Sequence, residues 1–243
     1  MASERERGSA AGRRRIGNAE VGQGHWDGFE GSVLTGPGII VEPVDPDRDT
    51  TGLYVAAIAG EESDRIWDYL GYGPFRDADA MHEWLCDCAA SKDPLFMVYR
   101  DRGTGQLGGM GSFMEIRPAA GVGEIGNIWF CRAWQRDRRA TEALSMMMHH
   151  VLETRGYRRL EWKCNALNAP SRSAALRLGF RYEGTFLNHM IVKGRSRDTA
   201  WFSLTAEEWP AVRDAHTRWL APENFAADGQ QKVSLSELTR ALW

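Results

Sequence analysis

Residues 159–180 read RLEWKCNALNAPSRSAALRLGF. The first seven residues of this stretch alternate between apolar and polar side chains, which predicts a strand with one buried face. A short helix is predicted over residues 170–178, because Pro170 suits the first turn of a helix and Gly179 suits the position after its end. A strand that passes through a polar loop into a helix indicates an α/β unit.

Strands and helices are mixed along the rest of the chain, so the sequence predicts a single α/β (α+β) domain. Apolar residues at helical spacing predict helices over residues 49–70, 77–90 and 140–155, and a C-terminal helix preceded by a Thr205-x-x-Glu208 capping box. β-Rich runs predict strands at about residues 39–44, 95–99, 106–116, 124–131, 180–187, 189–194 and 199–204.

The composition is that of an ordinary globular protein and disfavours several classes. Hydrophobic residues make up 43% and charged residues 26% of the 243 residues. No apolar run approaches the roughly 18 residues of a membrane span, and the four cysteines form no CxxC pair. The net charge of −3 argues against general nucleic-acid binding. A membrane protein, a disulfide-rich secreted protein and a zinc ribbon are therefore disfavoured, and a reducing cytoplasm is the expected location.

Residues 1–36 differ in composition from the rest of the chain. Nine of the 26 glycines lie in residues 1–38, together with an arginine triplet at residues 13–15. Such a segment buries too little apolar surface to offset its ordering entropy, so we expect a flexible tail in which only Trp26 and Phe29 could dock locally. The triplet could contact nucleic acid, although a solvated tail is the simpler interpretation. One domain is predicted over residues 37–243, ending in a C-terminal helical extension.

An arginine-rich loop, Gln135 to Ala140, precedes the helix predicted over residues 140–155. A loop that leads into a helix N-terminus presents free backbone N–H groups and the positive end of the helix dipole, which together favour an anion. Arg136, Arg138 and Arg139 add positive charge to this loop. The polar sequence Asn168-Ala-Pro-Ser171 follows the next strand, so the two strand ends would form a crevice between them.

Five motifs in a fixed order resemble those of a known family. They are Glu124-Ile-Gly126, Gln135-x5-Thr141-Glu142-Ala143, Arg159-x-Glu161-Trp162-Lys163, Asn168-x-x-Ser171 and Arg177-Leu-Gly179-Phe180. The set resembles the GCN5-related N-acetyltransferases (GNAT superfamily), and within it the ribosomal-protein-alanine acetyltransferase branch of RimJ/RimL type, over about residues 38–225. This resemblance implies a mixed, mostly antiparallel central sheet that is splayed at its middle and flanked by helices. It also implies acetyl-CoA, or another acyl-CoA, as co-substrate and no metal.

The resemblance assigns coenzyme A binding to two segments. The family's pyrophosphate loop falls on Gln135 to Ala140, where Arg136 and Arg138 stand at positions often occupied by glycine. These arginines either alter the phosphate geometry or pair with the phosphates directly. The end of the preceding strand would bond the pantetheine arm through its main chain, and Asn168 would bond it from the other side. The implied coenzyme-binding residues are Trp129, Phe130, Cys131, Gln135, Arg136, Asp137, Arg138, Arg139, Ala140, Thr141, Asn168 and Ser171.

Acyl transfer to an amine needs a proton for the leaving thiolate. Many members of the superfamily supply it from a tyrosine whose position is Ala175 in this chain. In the branch that the chain resembles, the serine of the Asn-x-x-Ser motif replaces that tyrosine, which implies Ser171. The alternative is that Ser171 only caps a helix.

The reaction also needs a neutral amine, and therefore a base. The resemblance implies Glu124 on the central strand, with a solvated carboxylate at a strand start as the alternative. Glu115 and His189 are rival bases, and Asp198 is either another base or the partner of Arg195 or Arg197.

Charge gives one clue to the acceptor. Residues 61–93 contain nine acidic residues and three basic ones, whereas residues 132–139 carry four arginines against Asp137. The first segment forms one lip of the acceptor cleft in the family, so these charges favour a cationic amine, although a solvated helix face would carry them equally well. The predicted acceptor-binding residues are Trp67, Tyr69, Trp84 and His189; the aromatic ones could instead be core.

The predicted function is direct transfer of an acetyl group from acetyl-CoA to a primary amine of a small molecule or of a protein N-terminus. Succinyl-CoA is an alternative donor, because the additional arginines could bind its second carboxylate. A non-catalytic binding or regulatory protein on the same fold is an alternative of a different class. A homodimer is compatible with the family, whereas membrane and nucleic-acid partners are not expected.

Overall fold

Eight strands form one sheet in the computed structural model, which describes residues 32–243 together with Trp26, Gly28 and Phe29. The strands are β1 (Leu34–Thr35), β2 (Ile39–Pro43), β3 (Leu95–Asp101), β4 (Leu107–Arg117), β5 (Val122–Phe130), β6 (Arg159–Asn165), β7 (Arg181–Val192) and β8 (Arg195–Thr205). Their order in the sheet is β1-β2-β3-β4-β5-β6-β8-β7. All neighbouring strands in it are antiparallel except β5 and β6, so the predicted mixed, mostly antiparallel sheet is confirmed.

The sheet opens where β5 and β6 lie side by side. These two strands pair over only three residues each, from Val122 with Arg159 to Glu124 with Glu161. Beyond Glu124, β5 is paired only with β4, and β6 is paired only with β8. The two strands therefore diverge from Glu124 onward, and the side of the β5 main chain that faces the gap has no strand partner.

Helices cover the two faces of the sheet unequally. They are α1 (Pro46–Ile58), α2 (Ala78–Ala90), α3 (Arg138–His149), α4 (Ala169–Arg177), α5 (Trp209–Leu220) and α6 (Leu235–Arg240). One apolar cluster lies beneath α1 and α2 and includes no residue of β6, β7 or β8. The other joins α3, α4 and α5 to the apolar residues of β6 and β8. On the side of α1 and α2, strands β6, β8 and β7 therefore contribute no residue to the apolar cluster. We call this surface of the three strands the open face.

Several predicted boundaries differ from the structure for local reasons. The helix predicted over residues 49–70 ends at Ile58, because Gly60 takes a positive φ of 93°, and residues 63–67 form a separate 3-10 turn. The strands predicted at 180–187 and 189–194 are one strand, since the irregularity at Asn188 shifts the pairing with β8 without ending it. The N-cap of α5 is Glu208 rather than Thr205, although Thr205 N still donates to the Glu208 carboxylate.

Two residues of the segment predicted as a tail pack against the domain. Phe29 is 1% exposed, and its ring centroid lies 5.0 Å from that of Phe113 and 4.9 Å from that of Tyr157. Trp26 Nε1 donates to the carbonyl of Gly156 at 2.7 Å. These contacts and β1 show that packing begins before residue 37; most of the predicted tail, including the arginine triplet, lies outside the described residues. Among the described residues, no helix is long and apolar enough to cross a membrane.

Candidate active site

Glu124 lies at the point where β5 and β6 part. It is the last residue of β5 that pairs with β6. Its neighbour Ile125 and the residue paired with Ile125, Phe113, point into the core on the side of α3. Strand alternation therefore directs Glu124 to the opposite side, where α1 and α2 lie. The Glu124 residue is 4% exposed, so the mouth of the gap holds a buried carboxylate.

Lys163 on β6 forms ion pairs with both Glu124 and Glu161. Its ammonium lies 2.8 Å from Oε2 of Glu124, 3.2 Å from the Glu161 carboxylate and 4.2 Å from the centre of the Trp201 ring. The buried Oε2 of Glu124 therefore lies in an ion pair with this ammonium, and apart from Lys163 it accepts no hydrogen bond from a described residue.

The two neighbouring carboxylates have pKa values shifted in opposite directions. Burial raises the pKa of Glu124, and the charges of Glu161 and Glu115 add to this effect while Lys163 opposes it. Burial also disfavours the charge of Glu161, but the hydrogen bond from Arg159 and the charge of Lys163 hold the pKa of Glu161 below its ordinary value. Glu161 is therefore a structural anion, whereas Glu124 is suited to take up and release a proton.

Ser171 begins α4 on the other side of the sheet. Its hydroxyl accepts a hydrogen bond from Trp162 Nε1 at 3.0 Å, and Trp162 belongs to the core beneath α3 and α4. The side chain that caps α4 is that of Asn168, whose Oδ1 accepts from Ser171 N at 3.1 Å. The Ser171 hydroxyl is therefore not the helix cap. It also bonds the thiol of Cys164, whose pKa is raised by burial although the bond with Ser171 opposes this effect.

The three arginines of the loop 135–140 differ in what they contact. Arg138 donates to the carbonyl of Leu220, and its guanidinium lies over the ring of Phe225. Arg139 forms an ion pair with Asp137 at 2.9 Å. Arg136 is exposed and makes no ion pair or hydrogen bond with any other described residue. It also has a φ of 62°, which is the left-handed conformation that glycine adopts most readily. Glycine is common at this position in the family that the motifs resemble.

The start of α3 keeps part of its capacity to bind an anion. Asp137 caps the helix by accepting from Arg139 N at 2.8 Å, which places one carboxylate at this terminus. The N–H groups of Arg138 and Ala140 donate to no described residue. The backbone N–H groups of Arg138 and Ala140 and the exposed side chain of Arg136 are therefore open to an anion. The side chains of Arg138 and Thr141 are occupied by protein contacts, since Arg138 donates to Leu220 and buried Thr141 accepts from Arg177.

The side chains at the end of β5 are occupied by protein contacts. Trp129 packs 5.4 Å from Trp67, and Phe130 stacks 4.8 Å from Tyr99. The N–H of Cys131 donates to Gly108, and Gln135 Nε2 donates to the carbonyl of Phe130. The main chain of β5 has no strand partner along the gap, although the carbonyls of Phe130 and Asn127 accept from Gln135 and Tyr72.

Hydrogen bonds hold the connection between α1 and α2, residues 59–77, in place across the gap. Tyr69 Oη donates to the carbonyl of Leu167, and Tyr72 Oη donates to the carbonyl of Asn127, both at 3.2 Å. At the turn between β7 and β8, Lys193 Nζ donates to the carbonyls of Trp67 at 2.9 Å and Gly73 at 2.8 Å. The connection is thereby held against β5, α4 and the β7–β8 hairpin at once.

The predicted acceptor-binding residues divide into two groups. Trp67 is 3% exposed, and Trp84 stacks on Tyr72 with centroids 4.2 Å apart, so both belong to the core beneath α1 and α2. Tyr69 reaches from the connection to the start of α4. His189 is exposed on the open face, where its Nδ1 lies 3.0 Å from Thr199 Oγ1. No group of three or more metal-ligating side chains occurs among the described residues.

Comparison with known proteins decides the family. A family model described as the acetyltransferase (GNAT) domain matches residues 39–181, which is more than half of the chain. The chain belongs to this family. A solved GCN5-related N-acetyltransferase from Brucella melitensis is 41% identical, covering 86% of this chain and 94% of that chain with a TM-score of 0.83.

Two further known proteins are similar to this chain. A ribosomal-protein-serine acetyltransferase of Escherichia coli (strain K12) is 33% identical over 90 residues, which are 37% of this chain and 48% of that protein. The match thus spans about half the length of this curated relative. Mycobacterium smegmatis RimJ, solved in complex with CoA-disulfide, is 21% identical over 86% of this chain and 92% of that chain, and with a TM-score of 0.61 it shares the fold.

Sequence reasoning missed part of this GNAT site. Lys163 and Glu161 stood in a motif of the family resemblance, but the ion pairs that join them to Glu124 depend on the pairing of β5 with β6. Lys193 was part of the family resemblance but was given no role, and Trp201 was not singled out. The signal in the sequence was that Glu161 and Lys163 alternate with apolar residues along one strand. If a sheet buries such charged side chains, they need partners of opposite charge.

Proposed function

We propose that the protein is an N-acyltransferase that moves an acetyl group from acetyl-CoA to a primary amine within a ternary complex. The observation that carries the proposal is the gap between β5 and β6, with the buried carboxylate of Glu124 at its mouth. A thioester entering the gap from the side of the α3 and α4 N-termini would meet an amine arriving from the open face.

Glu124 is the base of the proposed reaction. An amine reaches the site as an ammonium ion, and the Glu124 carboxylate takes one of its protons. A raised pKa makes Glu124 a better match for this proton than an ordinary carboxylate. The free nitrogen lone pair then attacks the thioester carbonyl carbon, so that a C–N bond forms and the C–S bond breaks.

Ser171 is the acid of the proposed reaction. Its hydroxyl hydrogen passes to the sulfur of the leaving thiolate, and the serine oxygen regains a proton, through water, from the positively charged nitrogen of the new C–N bond. The hydrogen bond from Trp162 orients the hydroxyl and partly stabilises the negative charge on its oxygen. Ser171 acts from the side of the sheet opposite to Glu124, so acid and base flank the reacting carbon.

The coenzyme-binding residues are proposed from the same geometry. The backbone N–H groups at the start of α3 and the free guanidinium of Arg136 would hold the pyrophosphate. The main chain of β5, which has no strand partner along the gap, would bond the pantetheine arm, with Asn168 facing it from the N-cap of α4. The name of the Escherichia coli relative supports a protein as acceptor. The amine proposed is that of its N-terminus, with a small-molecule amine as the alternative. The four free thiols suit a reducing cytoplasm, and a homodimer stays a prediction.

Thermal unfolding with acetyl-CoA, succinyl-CoA and free coenzyme A tests the donor site first. A ligand at 100 times its dissociation constant adds about 2.7 kcal/mol, or roughly 5–11 °C for a chain of this length. We expect this shift with acetyl-CoA, and release of free thiol when amines or peptides with free N-termini are added. A larger shift with succinyl-CoA would change the donor. Absence of any shift would favour a non-catalytic protein on the same fold.

A further inference from the structure

Arg197 is a cation on the open face whose guanidinium has almost no protein partner. Its Nε donates to Thr199 Oγ1 at 3.1 Å, which folds the side chain back along β8. Among the described residues, no carboxylate forms an ion pair with it, and its two terminal nitrogens make no hydrogen bond. Asp198, predicted as its possible partner, instead accepts from Asn188 N at 2.7 Å.

Other arginines of the same region are matched by carboxylates. Arg159 pairs with Glu183 at 2.6 Å and with Glu161 at 2.9 Å, and Arg117 also pairs with Glu161. Arg197 is half-buried, and this burial lowers its pKa, although Cys164 and, to a smaller extent, Glu124 oppose the effect. A half-buried guanidinium without a counter-ion is costly unless a ligand supplies one.

A second donor on the same strand also lacks a partner. Among the described residues, buried Trp201 Nε1 finds no hydrogen-bond acceptor. Arg197, Thr199 and Trp201 are alternate residues of β8, so they share a face, and the ring centroids of Trp201 and Phe186 lie 4.7 Å apart. The open face therefore holds N–H donors without acceptors beside aromatic rings, which suits a carboxylate on a peptide chain better than a second ammonium.

The strand register sets the distance between this cation and the base. Thr199 pairs with Asn165, four residues along β6 from Glu161, which neighbours Glu124. Four residues of a strand span about 13 Å. Because the Arg197 side chain folds back over Thr199, the distance to be bridged is shorter. Two to three extended residues span about 7–10 Å, whereas the amine and carboxylate of a single amino acid lie within one residue.

We propose that Arg197 binds a carboxylate of the acceptor, and that the acceptor is a peptide N-terminus with that carboxylate two or three residues from the amine. This inference rests on the proposed function, because it takes Glu124 as the point at which the amine sits. The carboxylate comes either from an acidic side chain near the N-terminus of a protein or from the C-terminus of a di- or tripeptide.

Matched peptides distinguish these sources. The tetrapeptide amides Ser-Ala-Glu-Ala and Ser-Ala-Gln-Ala differ only in one charge, and the tripeptide Ser-Ala-Ala is compared with its own amide. With acetyl-CoA present, we expect thiol release with kcat/KM about 10–100-fold higher for the charged member of at least one pair, as for a charge-assisted hydrogen bond. Arg197→Gln should remove this preference, so that the charged and uncharged members of each pair react with equal kcat/KM.

Arg218→Gln is the matched control, since it removes an exposed arginine from α5 on the other side of the sheet and should keep the preference. Equal kcat/KM within both pairs, or an equal loss with charged and uncharged peptides in Arg197→Gln, would overturn the proposal. Calorimetric binding of the same peptides in the presence of coenzyme A separates it from the proposed function. Binding that depends on charge and on Arg197 without turnover would overturn the acetyltransferase proposal alone.

Discussion

The two faces of strand β6 are both largely buried, but by opposite kinds of contact. Leu160, Trp162 and Cys164 lie in an apolar core beneath α3 and α4. Glu161 and Lys163, which alternate with them, are enclosed by ion pairs with each other and with charged neighbours. The two faces of β6 therefore cannot be told apart by burial alone. They differ in their contacts, which are apolar on the structural face and ionic on the face that adjoins the candidate active site.

This difference has an energetic consequence. Apolar burial on the first face stabilises the fold in proportion to the area removed from water. On the second face, each buried charge is costly and is compensated only by its partners, so the cluster adds little net stability. Substitutions on the first face should change folding, and substitutions on the second should change activity.

Glu124→Gln is the sharpest test of the charged cluster that Glu124 on β5 forms with Lys163 and Glu161 of β6. The amide cannot accept the amine proton, so thiol release with acetyl-CoA and a peptide acceptor should fall by about 10²–10⁴-fold. The unfolding midpoint should change little, because Lys163 keeps its ion pair with Glu161. Glu115→Gln serves as control, since it removes the rival base and should retain activity. If Glu115→Gln abolished thiol release and Glu124→Gln did not, the base would be misassigned.

Leu160→Ala tests the apolar face. Leu160 is fully buried, and its truncation should cost about 2–5 kcal/mol of the free energy of unfolding, measured with urea. The KM values of the folded enzyme should stay within about twofold, as expected when no substrate contact is lost. If Leu160→Ala changed KM as much as Glu124→Gln does, and left the stability unchanged, the apolar face of β6 would not have the purely structural role assigned to it.

Ser171→Ala separates an acid from a packing residue. A thiolate is a good leaving group near neutral pH, because the thiol pKa is about 8.5, so we expect only about a tenfold lower kcat. Trp162→Phe removes the hydrogen bond to Ser171 but keeps its hydroxyl, and should retain most of kcat. Equal losses in the two variants would assign the effect to packing around Trp162 and remove the acid role from Ser171.

The order of the motifs and the alternation over residues 159–165 were sufficient to predict the fold class and the position of the gap. They were not sufficient for the side chains that a distant segment determines. Arg138 was expected at the phosphate loop, but its guanidinium contacts Leu220, 82 residues away. Thr141 was expected there too, and its hydroxyl is bound by Arg177. Local sequence cannot show such contacts, because they are set by how helices pack.

An irregularity in β5 illustrates the same limit within a strand. Glu124 and Trp129 are five residues apart and would lie on opposite faces of a regular strand. Both nevertheless lie on the side of α1 and α2, because Asn127 adopts a φ of 53° and the pairing with β4 shifts between Ser112 and Met110. A bulge of this kind reverses the alternation of a strand, and asparagine is only a weak signal for it.

Lys163→Met gives the smallest and most specific effect, a shift in pH dependence. Lys163 favours the ionised form of Glu124, so its removal should raise the pKa of Glu124 further. Glu124 must be ionised to accept a proton, so activity is lost as the pH falls through its pKa. The acid limb of kcat/KM should therefore move to higher pH in Lys163→Met and stay in place in Lys163→Arg, which keeps the charge. A limb that moved to lower pH, or did not move, would show that Glu124 is not the group titrating in the reaction.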